Sequence, residues 1–210
     1  SAASDVYKRL SYSFVHDDAL PDAAAALPDA FAPPPDAREP VEPPDAARFT
    51  YLLLSVDSPQ TFDLDLVASQ VNENPVFYVQ YAHARIHSIV RRAEEAGNRR
   101  GSLVDADLSL LVHPRELEIL RALHELPDAV ERACRERAPH QVTTWVREMA
   151  SSFHGFYHDC RVLGDGIDPA TTTARLWLVE GARIGLAVAL DLLGVSAPTE
   201  MWRDPVDGED

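Results

Sequence analysis

The placement of proline constrains this chain more than any other feature. Nine of the 16 prolines fall between Pro21 and Pro59, which leaves the rest of the chain poor in residues that interrupt a helix. Glycine is also scarce, at 9 residues in 210, whereas an all-β body needs turn residues at short intervals. With 46% hydrophobic residues, a chain of this length suits one helix-rich domain of ordinary size, with or without an appendage.

Residues 1–44 divide into a short apolar stretch, Tyr7 to Val15, and a run of Ala, Pro and Asp that ends in Pro40-Val41-Glu42-Pro43-Pro44. Such a composition buries too little apolar surface to offset its ordering entropy, so it reads as an arm and linker. The body starts at Asp45, expected to cap a helix reaching about Ser55 with Phe49, Leu52 and Leu53 on one face. A second helical pattern runs from Asp63 to Asn74. Pro75 there kinks or restarts the helix, and a strong pattern follows to Ala96, with Val79, Ala82, Ile86, Ile89 and Val90 in one stripe before Gly97-Asn98. Leu117, Leu120, Leu123 and Leu126 mark a further helix, and Pro127-Asp128 is expected to open another that reaches about Arg137. Pro139 precedes a helix of about 140–160, and a last helix is expected over Pro169 to Leu193, closed by Gly194. The fold class expected is all-α, an antiparallel helix bundle.

The formal net charge of −15 argues against generic nucleic-acid binding, because displacing counterions from phosphates takes Lys and Arg. The charge is uneven, however. Residues 1–62 hold ten acids and four bases, while residues 74–100 hold Arg85, Arg91, Arg92, Arg99 and Arg100 against Glu94 and Glu95. In that positive segment Tyr78, Tyr81 and Arg85 are spaced by three and four residues, which sets them on one helix face. Two rings and a guanidinium are what protein modules use to stack on unpaired bases and to bond their edges or phosphates.

The stretch from residue 72 to 85, Asn-Glu-Asn-Pro-Val-Phe-Tyr-Val-Gln-Tyr-Ala-His-Ala-Arg, resembles a segment of the anticodon-binding domain of arginyl-tRNA synthetases. Three further blocks stand in the same order. These are Asp45 to Phe49 with Phe62 to Leu66, then Phe153-His154 through Leu163, then Leu192 to Val195 with Ala197-Pro198 and Met201. The resemblance covers about residues 45–201 and implies the DALR-type helical bundle of class I synthetases. It implies that Tyr78, Tyr81, Arg85 and Met201 contact the anticodon loop of an arginine tRNA. Residues 202–210 continue as an acidic tail, and Gly155 stands where the family often has a basic residue.

Neither class I signature, His-Ile-Gly-His-like or Lys-Met-Ser-Lys-like, is present, and residues 1–44 hold nothing like the second. The expectation is a stand-alone relative of the anticodon-binding domain, binding tRNA without aminoacylating it by itself. Two alternatives stay open: an interaction or regulatory module that has lost tRNA, with the N-terminal arm docking a protein partner, and part of an arginine-tRNA ligase whose catalytic portion is elsewhere. Cys134 and Cys160 form no disulfide framework, and no leader or apolar run of spanning length occurs, so a cytoplasmic protein without membrane or DNA partners is expected. His83 with His87, and His154 with His158, have chelating spacing but no third ligand, so no metal or cofactor is expected.

Overall fold

The computed structural model describes residues 43–69, 72–164 and 166–201. The acidic tail and the arm and linker, except Pro43 and Pro44, lie outside the described residues. The helices are α1 (Pro43–Tyr51), α2 (Leu64–Ala68), α3 (Pro75–Glu95), α4 (Pro114–Glu136), α5 (His140–Asp159) and α6 (Pro169–Leu193). Short 3-10 turns at Leu103–Asp105 and Leu108–Leu110 link α3 to α4, and no strand occurs among the described residues.

Contacts at the helix ends fix the directions. Arg115, at the start of α4, reaches Asp159 at the end of α5 at 2.9 Å, and Arg132 bonds Gln141 at 3.3 Å at the opposite ends. The two helices are therefore antiparallel. Arg175, early in α6, donates to the Arg161 carbonyl just past α5 at 2.6 Å, while Gly185, late in α6, lies against Trp145, early in α5. So α6 returns antiparallel to α5. Helix α3 also opposes α6: Trp177 donates to the Arg100 carbonyl at 3.2 Å, and Arg100 pairs with Glu180 at 3.0 Å. Ile86, Ile119, Met149, Phe153, Phe156, Leu176, Leu186 and Leu190 fill the centre between these four helices and are fully buried.

Local chemistry sets most boundaries. Pro75 begins α3 at a position where its missing N–H leaves no bond unmade, and Asn74 caps it by accepting from the Val76 N–H at 3.3 Å. Gly97, at φ +78°, ends α3 and lets Asn98 donate back to the Ala93 carbonyl at 2.7 Å. The last helix spans Pro169–Leu193 as its sequence predicts, capped by Asp168 and closed by Gly194 at φ +66°.

Three expectations need correction. Helix α1 runs from Pro43 to Tyr51 rather than from Asp45 to about Ser55, and Asp45 lies within its first turn instead of capping it. Pro43 and Pro44 lack N–H groups, so fewer orphan donors need a cap, and the Asp45 carboxylate serves elsewhere. Helix α2 stops at Ala68 rather than Asn74, because the Asn74 amide donates to the carbonyls of Val67 and Ser69, at 3.0 and 2.7 Å, and turns the chain. Pro127 opens no new helix, since α4 runs through it from Pro114 to Glu136. Proline deprives the carbonyl four residues back, that of Leu123, of its donor, and one residue earlier the Trp145 indole donates to the Ala122 carbonyl at 2.7 Å. A side chain of α5 thus holds α4 just ahead of the proline.

Candidate nucleic-acid interface

The segment after α6 crosses α3 and brings Met201 to it. Arg48 donates to the Gly194 carbonyl where α6 ends. The buried Asp45 carboxylate accepts from the Ser196 N–H at 2.9 Å, from the Ser196 hydroxyl, and from the Gln80 amide at 3.1 Å. Gln80 also donates to the Ser196 carbonyl at 3.0 Å. Further on, His83 Nδ1 donates to the Pro198 carbonyl at 2.8 Å, and Arg91 pairs with Glu200 at 2.9 Å. Met201 then packs with Phe77, Ala84 and Tyr81.

Tyr81 and Arg85 meet α5 beside that cluster. The Arg85 guanidinium donates to the Tyr81 hydroxyl at 2.8 Å and to the Tyr157 hydroxyl at 2.9 Å. It also lies over the Tyr157 ring, 4.4 Å from the centroid. Tyr81 is half-buried in a row of near-parallel rings, with Phe77 at 5.5 Å and His154 at 6.1 Å between centroids. Its faces are largely covered, and its polar end is turned to Arg85. Because each phenol oxygen accepts from Arg85, each O–H proton remains to be donated. The group therefore sets two hydroxyl donors beside a cation, a set that suits phosphate oxygens or the acceptor edge of an unpaired base.

Of the four residues singled out in the sequence, the structure brings Tyr81, Arg85 and Met201 together, Met201 being buried at 8% exposure. Tyr78 is buried at 9% exposure, tilted against His154 at 4.5 Å, and does not present its ring to solvent. Burial raises its pKa, with the Ser151 hydroxyl and Arg147 acting in the opposite sense. His154 Nε2 donates to the Tyr78 carbonyl over a long 3.4 Å, and burial, assisted by Arg85, pushes its pKa down to about 4. It is neutral at pH 7. Sequence spacing could not single out Tyr157, which lies 72 residues from Arg85 and joins it only through the packing of α3 on α5.

Gly155 opens the surface of α5 to Arg115, whose guanidinium atoms lie 3.2–3.3 Å from where a Cβ would stand. A guanidinium from α4 thus occupies the surface at that position, bonded to Asp159 and Glu118 at 2.9 and 3.1 Å. The histidine pairs separate in role. His83 and His87 are neighbours at 4.8 Å between ring centroids, whereas His158 pairs with Asp159 at 2.6 Å, away from His154's ring contacts. No cluster of three metal-ligating side chains occurs among the described residues. Nor is any helix among them long and apolar enough to cross a membrane.

Known proteins share both the sequence and the fold. An arginine–tRNA ligase of Frankia alni is 50% identical over 159 residues, covering 75% of this chain and 29% of that protein. One of Moorella thermoacetica is 48% identical over 157 residues, covering 75% and 28%. The chain therefore spans a little over a quarter of the length of these relatives. Among solved structures, the Thermus thermophilus arginyl-tRNA synthetase superposes with a TM-score of 0.61 at 31% identity, over 75% of this chain and 26% of that one. The Plasmodium falciparum arginyl-tRNA synthetase, at 19% identity, a TM-score of 0.60 and coverage of 75% and 26%, shares the fold.

Fold and sequence together define an all-helical domain of the anticodon-binding type. The chain belongs to the DALR anticodon binding domain family, whose model matches residues 79–201.

Proposed function

We propose that this domain binds the anticodon loop of an arginine tRNA on the face where α3 meets α5, with Tyr81 and Arg85 at its centre and the buried Met201 packed beside Tyr81 in support. The observation that carries this is the Arg85 guanidinium fixed between the hydroxyls of Tyr81 and Tyr157. Tyr78 belongs to the same proposal as a support beneath His154, not as a stacking surface. An anticodon loop carries unpaired bases with acceptor edges, joined by phosphates, which match a guanidinium flanked by two hydroxyl donors. The 210 residues hold neither class I signature, so we further propose that they do not aminoacylate tRNA by themselves.

The net charge of −15 favours a second reading, in which the bundle serves as a protein-interaction module and no longer holds RNA. Filter binding with arginine tRNA and a non-cognate tRNA separates the two. Saturable binding at low salt, preferring arginine tRNA and lost on Tyr81→Ala, supports the first reading. Failure of the parent chain to bind any tRNA sinks it.

A further inference from the structure

We propose that His83 is a positioning residue: its Nδ1–H, acting through the Pro198 carbonyl, sets Met201 beside Tyr81. A carbonyl only accepts, so the 2.8 Å contact places the ring proton on Nδ1 and leaves Nε2 as a bare lone pair. That lone pair is buried and has no hydrogen-bond partner among the described residues. His87 meets the His83 ring edge-on at 4.8 Å, and its own Nε2 also lacks a partner among them. The charged groups nearby bond elsewhere, Arg183 to Glu180 and Arg91 to Glu200.

An imidazole with an unsatisfied buried nitrogen is a poor space-filler, because an apolar side chain would occupy the same volume without that penalty. What histidine adds at position 83 is one N–H, and it is spent on Pro198. The strap has little else to hold it there. Ser196 is tied by Asp45 and Gln80, but among the described residues no backbone–backbone hydrogen bond involves residues 197–201. The remaining polar link, Arg91 with Glu200, is about half exposed on both sides and contributes little. His83 is thus the buried polar anchor between Ser196 and Met201.

The chain's two methionines make this measurable without RNA. In protein labelled at the methionine methyls, Met149 reports the core and Met201 reports the strap, shifted by the rings of Tyr81 and Phe77. His83→Leu is expected to move the Met201 signal toward its unpacked position while Met149 stays. His83→Asn, whose side-chain amide places an N–H where Nδ1 stood, is expected to restore it. An unmoved Met201 signal in the Leu variant overturns the proposal. So does a folded Asn variant with Met201 displaced, which decides the matter where Leu unfolds the bundle. The consequence for binding rests on the proposed function: His83→Leu should weaken tRNA about tenfold and add nothing to Met201→Ala. Absence of tRNA binding by the parent chain removes the proposed function and leaves the methyl test standing.

Discussion

Glu116 is fully buried at the head of α4, where one carboxylate oxygen accepts from the His113 N–H at 2.8 Å and the other from the Arg175 guanidinium at 2.7 Å. One side chain thus closes the capping box of α4 and ties α6 to it, while Arg175 reaches on to the Arg161 carbonyl after α5. Three helices depend on that carboxylate. Removing one partner of a buried pair strands the other, so Glu116→Ala should lower the unfolding free energy by about 3–5 kcal/mol. Glu116→Gln, which keeps an oxygen for the cap, should lose less. Urea denaturation measures both, and a loss below about 1 kcal/mol for the alanine variant, within the range of an exposed pair, would show that the pair does not bind the helices together.

Pro127 offers the opposite case, a native residue that weakens its own helix. It is exposed inside α4. Proline in a helix interior is about 3 kcal/mol less favourable than alanine. Pro127→Ala is therefore expected to raise stability by about 1–3 kcal/mol without altering the fold. Thermal unfolding followed by circular dichroism checks the sign.

His154 makes the domain acid-sensitive. Its pKa falls from an ordinary 6.5 to about 4 on folding, so the unfolded chain binds the proton more readily. Stability from this group is complete above about pH 6.5 and is lost as the pH drops toward 4, with a limiting slope of about 1.4 kcal/mol per pH unit. Burial lowers His83 and His87 in the same direction. His154→Gln should flatten the pH dependence of stability between pH 6.5 and 4 by about one proton's worth. An unchanged slope would place the titration elsewhere.

Much of this domain is legible in its sequence, and the exceptions share a cause. The bounds of α6 follow from Asp168, Pro169 and Gly194, because caps and breakers act within a few residues of themselves. The continuity of α4 through Pro127 does not, since α4 is packed there on another helix, whose Trp145 indole bonds the Ala122 carbonyl. Asp45 looks like a cap by its neighbours and is claimed instead by Ser196, 151 positions away. The proposed interface divides in the same way. Tyr81 and Arg85 stand out by helical spacing, but burial of Tyr78 and recruitment of Tyr157 are set by how α5 lies on α3, which no local pattern encodes.

The central claim is that the Arg85 cluster receives an anticodon loop. Hydrogen bonds from a charged donor are worth about 1.5–3 kcal/mol, so Arg85→Ala should weaken arginine tRNA binding by about 10- to 100-fold. Arg85→Lys should recover little, because an ammonium cannot span both hydroxyls and stack on Tyr157. The direct measurement is the dissociation constant for an arginine tRNA transcript, at one fixed low salt concentration, for the parent chain and the two variants. Saturable parent binding with both variants weakened is the expected result; equal affinities for parent and Arg85→Ala would contradict the account.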